Sequence, residues 1–451
     1  ASLFSALLLF QAAPLLAFVP QQANVLPQNG LIRNNFSHLE MSASDSSISF
    51  DAIQGKHVLV VGGSGRVGGS VVTQLLQRGA TVTVGGTNLN NLEASRARWS
   101  EMFDSVDANS IGFSILDRED PDSVSKAIQE KSPDLVVHTA GPFQGKVGST
   151  NGVLEAAVNN KVPYVDVCDD YCTAQAARSK YSQIAESGDT PCIVSTGCWP
   201  GVSSLMAKSL ARKVLATDKS LKPEDLTVDF SFFTAGSGGA GATLLVATFL
   251  ILAEEALTVV KGRRTPVPAM VGYEDIDFGP IVGTKPVAPL NLLETASIHD
   301  VLGVGSVKAL FGTAPGFWNQ LLGLMAQLPS SLLANEDLMS KLAIFSLPIV
   351  RVVDYFAGAT NAMRCDVFAP GDASIKATAI YAHENLEPCV GECVVAFCSA
   401  VLSGKVAPGI WFPEEAITSD QDIVDVLSLA SVGAHTTEVG GIVTDKTEVW
   451  G

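Results

Sequence analysis

At 451 residues the chain exceeds what one hydrophobic core ordinarily serves, and two domains are expected behind any targeting segment. Hydrophobic residues make up 47% of it and charged residues 17%, a balance that excludes a disordered chain. A formal net charge of -17, with no Lys/Arg cluster to offset it, would repel a phosphate backbone and argues against nucleic acid as a partner.

Ala1 to Ala17 reads ASLFSALLLFQAAPLLA, an apolar run ending in small residues, the pattern of a signal peptide and its cleavage site. The run carries no initiator Met, so the true start is expected upstream. Phe18 to about Ser49 is rich in Ser, Asn and Gln and has no hydrophobic period, as a transit segment would. The junction Leu16-Ala17-Phe18-Val19-Pro20 resembles the Ala-Phe-x-Pro cleavage motif of bipartite plastid presequences in diatoms and related algae, which implies a plastid stroma. An ordinary secretory signal is the alternative. Residues 1–50 are therefore read as an address. Elsewhere the longest apolar stretch, Ala242 to Ala253, stops at Glu254 and Glu255, short of the roughly eighteen residues a spanning helix needs. No integral membrane span is expected in the mature chain.

Lys56 to Val61 (KHVLVV) is a β-branched apolar run suited to a parallel strand buried on both faces. Gly62-Gly63-Ser64-Gly65-Arg66-Val67-Gly68-Gly69 follows directly. It fits G-x-G-x-x-G as Gly63, Gly65 and Gly68, and equally G-x-x-G-x-x-G as Gly62, Gly65 and Gly68. Glycines so spaced allow a tight turn and let backbone N–H groups approach a pyrophosphate. A helix is expected over Ser70 to Arg78, with Val71, Val72, Leu75 and Leu76 facing a sheet and Gly79 stopping it. Its N-terminal partial charge suits a diphosphate. Strand, glycine turn and helix together predict a dinucleotide-binding Rossmann domain, an α/β doubly wound parallel sheet, with Gly62, Gly63, Ser64, Gly65, Arg66 and Val67 on the cofactor.

The second strand, Ala80 to Val84, ends in Gly85-Gly86-Thr87-Asn88 instead of the Asp or Glu that grips the ribose 2′-OH of NAD. No carboxylate there repels a 2′-phosphate, and Thr87, Asn88 and Arg66 offer it hydrogen bonds or charge. NADP is the expected cofactor, with NAD as the alternative. Ile111 to Leu116 reads as the third strand, with Asp117 at its end where an adenine amine could be met, and Pro121 to Lys131 as the next helix. Leu135 to Thr139 runs into Ala140-Gly141-Pro142-Phe143. Ala140, Gly141 and Pro142 would let the nicotinamide side of the cofactor lie against backbone at a strand end; a plain tight turn is the other reading.

Further on, Thr227 to Thr234 alternates as an exposed-face strand does, and Ser237-Gly238-Gly239-Ala240-Gly241 opens the next helix with a turn able to cradle a substrate carboxylate. Ala362 to Phe368 and Ser374 to His383 read as strands, and Pro388 to Ser403 as a helix stopped by Gly404. None of the eight cysteines forms a C-x-x-C pair. Cys389 and Cys393 could share one helical face, but buried reduced thiols are the plainer reading, and no metal site is expected.

Short-chain dehydrogenase chemistry needs a Tyr four residues before a Lys. The six tyrosines, Tyr164, Tyr171, Tyr181, Tyr273, Tyr355 and Tyr381, are followed at that spacing by Cys168, Gln175, Ala185, Asp277, Ala359 and Asn385, so that chemistry is excluded. Hydride transfer to an imine or carbonyl calls for a titratable group beside the nicotinamide and a cation for any substrate carboxylate. The catalytic candidates are His138, Asp166, Asp169, Asp170 and Arg364, with His383 in the same returning segment as Arg364; no motif singles one out. A core role for His138, solvated or capping roles for the aspartates, and pairing of Arg364 with Asp354 or Asp366 compete with catalysis.

Five stretches point to a family: VVGGSGRVGG from Val60, AGPFQGKVGSTNGVLEAAVNNKVPYVDVCDD from Ala140, STGCWPGVSSLMAKSLA from Ser195, FSLPIVRVVDYFAGATNAMRCDV from Phe345 and LSGKVAPGIWFPEEAI from Leu402. In these the chain resembles the saccharopine dehydrogenase-like NAD(P)-binding oxidoreductases, especially their cyanobacterial and chloroplast group. The resemblance implies a Rossmann domain over 51–200, a handover at Pro200 and Gly201 to an inserted α+β substrate or dimerisation domain over 201–390, and a segment 391–451 returning to the first domain. It also implies hydride transfer on a small amine, imine or carbonyl substrate, and leaves a homodimer open. Relatives commonly carry Ala-Gly-Arg where this chain has Gly85-Gly86-Thr87, a departure that weakens strict NADP preference. Because the family spans many reactions, a non-catalytic dinucleotide sensor or plastid assembly factor stands as the alternative.

Overall fold

Apolar β-branched runs, too short to be helices and bounded by turns, build a first sheet. The computed structural model describes residues 47–102, 111–144, 151–236, 242–369, 376–430 and 434–447, the side chains of 98, 100–102, 354, 356, 357, 434 and 447 excepted. Strands β1 (His57–Val61), β2 (Thr81–Gly86), β3 (Gly112–Ile115), β4 (Leu135–His138), β5 (Tyr164–Asp166) and β6 (Pro191–Ile193) run parallel in the order β3-β2-β1-β4-β5-β6. Helices connect them and cover both faces. Along β1, Val58 and Val60 enter one core cluster and Leu59 and Val61 another, all essentially inaccessible, which is why the run reads as continuously apolar instead of alternating. Register sets Val61 level with Gly85 on β2 and with His138 on β4, so three carboxyl ends finish together.

The chain then crosses into a mixed second sheet through the helix Val202–Thr217. There β7 (Thr227–Ala235), β8 (Ala256–Val260), β9 (Arg263–Val267), β10 (Glu274–Asp277), β11 (Thr284–Pro289), β12 (Ser306–Ala314), β13 (Thr360–Phe368) and β14 (Lys376–His383) pair mainly antiparallel, β7 and β12 parallel. Against expectation β7 is an interior strand: it lies between β12 and β13, and Phe230, Ser231, Phe232 and Phe233 are all buried, so the polar side chains of its alternation do not mark a solvent face.

Helix Leu386–Leu402 next returns to the first sheet and packs on helix Arg66–Gln77, and β15 (Gly409–Trp411) adds a seventh parallel strand beside β6. The chain crosses once more: β16 (Ala434–Val439) pairs with β14 and β17 (Ile442–Thr447) with β16, extending the second sheet. The architecture is a Rossmann-type parallel sheet joined to a second, mixed sheet.

Candidate functional site

The strand order reverses between β1 and β4, and there the loops leaving the carboxyl edge diverge and open a crevice. Gly62 ends β1 at φ +84, where a Cβ would lie 2.8 Å from the Ala140 backbone nitrogen; Gly68 permits an even closer approach, its Cβ position being 2.3 Å from the Gly62 carbonyl oxygen and 2.5 Å from Thr139 Oγ1. Gly65 stands as N-cap with no side-chain cap bond, so the first-turn N–H groups keep their donors for an anion. This is the Gly62, Gly65, Gly68 spacing. Gly63, expected on the cofactor, instead packs beneath the turn, its Cβ position 2.9 Å from Val84 Cγ1 and 3.1 Å from Val72 Cγ2. The helix begins at Arg66, a turn earlier than the apolar stripe alone indicated, and its first turn contains Gly68, which close packing requires despite its poor propensity.

Around this turn lies a cavity of about 670 Å³, within the size range of small-molecule sites. Gly62, Ser64, Gly65, Arg66 and Val67 line it, as do Thr87, Asn88, Asp117, Ala140, Gly141 and Pro142. Asn88 Oδ1 accepts from the N–H groups of Asn90 (3.0 Å) and Asn91 (3.3 Å), capping the helix Leu89–Met102, which leaves its amide nitrogen as the group to meet a phosphate. Asp117 Oδ1 is likewise taken by the Glu119 N–H at 3.0 Å. Arg66 gives Nε to Glu387 Oε1 at 2.8 Å, a pair that joins the first turns of two helices across the cavity edge.

The catalytic candidates separate. Asp166 is fully buried and ties strands together, accepting from Tyr164 OH (2.9 Å), Cys168 N (3.0 Å), Ser195 N (2.8 Å) and Asn151 Nδ2 (3.3 Å); burial pushes its carboxyl up to about 6. His138 belongs to the same network, its Nδ1 3.1 Å from Tyr164 OH, and contacts Phe143 edge to face. Asp170 caps helix Tyr171–Ser187 through the Thr173 N–H at 2.6 Å. Arg364 forms a bidentate pair with Asp366, at 2.7 and 3.0 Å, in the second sheet; the Asp354 side chain lies outside the described residues. Each of these four bonds to its neighbours, and none of them lines the cavity. Asp169 alone does. It is half-buried at the wall, Gln144 donates to it, and loss of water pushes its carboxyl up to about 6. His383 accepts from Asn385 N at 3.1 Å, away from the cavity, and residues 237–241, the expected carboxylate cradle, lie outside the described residues.

Sequence reasoning missed Arg118, Trp199, Leu244 and Glu387, all on the cavity wall. Arg118 binds Glu119 at 2.9 Å and the Ala140 carbonyl, bracing the loop that carries Gly141 and Pro142. Trp199 stacks on Phe232 at 5.0 Å and donates to Asn361 Oδ1 at 3.0 Å. Leu244 and Glu387 come from helices far along the chain, so no local pattern marks them. Behind Trp199 the buried thiols of Cys198 and Cys389 share Asn361 Nδ2, at 3.8 and 3.6 Å, which places Cys389 in the core.

Fold and site define a Rossmann-type NAD(P)-binding protein. Residues 58–191 match the family model of the saccharopine dehydrogenase NADP binding domain, so this part of the chain is similar to that NADP-binding domain. The whole fold is similar to that of an apo, histidine-tagged saccharopine dehydrogenase (L-Glu forming) from Saccharomyces cerevisiae, with TM-score 0.57 and 14% identity, covering 85% of this chain and 100% of that one. A 2-keto-3-deoxy-D-gluconate dehydrogenase from Streptococcus agalactiae shares a smaller part, with TM-score 0.27 and 13% identity over 32% of this chain and 68% of that one.

Proposed function

We propose that the chain is an NADP-dependent oxidoreductase acting on a small amine, imine or carbonyl substrate. One observation carries this: the cavity does not stop at the glycine cradle but continues past Gly141, Pro142 and Phe143 to Asp169, Trp199, Leu244 and Val390, leaving room beside the nicotinamide position. A protein that only sensed dinucleotide would need no such space. When bound, NADPH supplies hydride. The chain's residues hold the diphosphate on the helix N-terminus, keep carboxylates away from a 2′-phosphate at Gly86, Thr87 and Asn88, and place Asp169 where a substrate heteroatom would sit.

The test is turnover by the full chain of a panel of imines, ketones and aldehydes, followed by loss of NADPH fluorescence. Oxidation that depends on one substrate class supports the reading; tight NADPH binding with no turnover across the panel favours a sensor or assembly role. A plastid stroma location belongs to the same proposal, supported by the Ala17-Phe18-Val19-Pro20 junction. A fluorescent fusion of the native amino-terminal segment checks it, and delivery to the secretory route would reject it.

A further inference from the structure

The chemical class of the substrate follows from what charge is left over at the far end of the cavity, given the NADP reading above. Beyond the Gly141–Phe143 loop the wall is made chiefly by Phe143, Trp199, Leu244, Ala247, Leu386 and Val390. Among the described residues the charged groups that line the cavity are Arg66, Asp117, Arg118, Asp169 and Glu387, and Asp117 follows the third strand, where an adenine amine could be met. Arg66 and Glu387 are bound to one another at 2.8 Å. The other lining arginine, Arg118, is engaged by Glu119 and the Ala140 carbonyl. Asp169 is the surplus charge: half-buried, fixed by Gln144, and set in an apolar surround.

A substrate carboxylate would therefore meet the like charge of Asp169, while both described arginines of the wall, Arg66 and Arg118, are already engaged, in a medium that screens poorly. A nitrogen cation on an apolar body meets an opposite charge and hydrocarbon. We propose that this end of the cavity takes an amine or imine on an apolar scaffold with no carboxylate beside the nitrogen, and that Asp169 is its ionic partner. In the reducing direction the protonated imine gains hydride at carbon, its C=N electron pair becomes the nitrogen lone pair, and the amine so formed takes one proton from water to become an ammonium against Asp169. NADPH is the reductant and leaves as NADP.

The experiment uses the full chain loaded with NADPH and matched probes. Cyclohexylamine and cyclohexanecarboxylate are compared by shift of the melting transition, and 2-methyl-1-pyrroline and 1-pyrroline-2-carboxylate by kcat/KM. The amine and the carboxylate-free imine are expected to be preferred by about tenfold or more. Asp169→Asn, its folding checked by its own melting transition, is expected to erase that preference; the comparison of probes on the unaltered chain stands even where this variant does not fold. Equal or better use of the carboxylates overturns the proposal, as does a chain that binds NADPH but neither nitrogen probe. A chain that binds no NADPH fails the cofactor reading, and this inference with it.

Discussion

Gly68 marks the closest approach in the site, because the first turn of the Arg66–Gln77 helix rests on the turn after β1 with no room for a methyl group. An alanine there would place carbon 2.3 Å from the Gly62 carbonyl oxygen, far inside contact distance, and backbone would have to move. We expect Gly68→Ala to cost about 1–3 kcal/mol of stability, as overpacking does, and to weaken NADPH binding about tenfold or more by tilting the donor turn away from the diphosphate. Gly86→Ala is the matched control, since its added carbon meets Leu92 at an ordinary 3.5 Å; its melting transition should stay close to that of the parent chain. Equal destabilisation by both would show that glycine flexibility, not space, governs the loop.

At the scale of elements, helix Leu386–Leu402 is the piece that turns a nucleotide domain into a closed site. It lies against helix Arg66–Gln77 so tightly that a Cβ on Gly391 would be 2.2 Å from Ser70 Oγ, and it delivers Glu387 to Arg66 and Glu392 to Gln74 (3.1 Å). Gly391→Val should separate the helices, lowering the melting transition and weakening NADPH binding through displaced Arg66. Loss of stability with unchanged affinity would mean that Arg66 does not depend on this contact. None of this pairing was legible in the sequence, where Gly391 is one glycine inside an apolar helix. What was legible is local: strand, glycine turn and helix from Lys56 to Arg78, and the Gly-Pro-Phe turn after β4, all of which depend on neighbours a few residues away. Asp169 could be named as a candidate but not separated from Asp166 and Asp170, because burial, cap and cavity wall differ only in the folded chain. Arg118 could have been suspected, since it follows Asp117 at the end of the third strand, whereas Leu244, Glu387 and the seventh strand come from distant elements that only the crossovers between sheets bring in.

The whole molecule carries an unusual set of buried carboxyls. Burial pushes Asp166 and Asp169 up to about 6 and Glu294, Glu392 and Glu414 up to about 7. A carboxyl whose pKa rises on folding binds its proton more tightly in the native state, so its contribution is fully present below its unfolded value and is lost as pH climbs through the folded one. Glu294, 1% exposed and accepting from Ser203 Oγ at 2.8 Å, isolates the effect. Glu294→Gln should match the parent chain near pH 4 and become progressively more stable than it as pH rises to about 7, as measured by urea unfolding at each pH. A difference that does not vary with pH would show that Glu294 keeps an ordinary pKa. Asp366, held below its usual value by Arg364, opposes the trend at low pH, which is why the variant difference is the useful quantity.

All three scales converge on one claim, that NADP lies in the crevice between the Gly62–Gly68 turn and the Ala140–Pro142 loop. The most direct measurement is titration of the full chain with NADPH and, in parallel, NADH, read by nucleotide fluorescence and by the melting transition. NADPH is expected to bind more tightly than NADH and, at about one hundred times its dissociation constant, to add about 2.7 kcal/mol of stability by mass action, with Gly68→Ala shifting the curve to weaker binding. No fluorescence change and no shift in melting with either nucleotide would contradict the account.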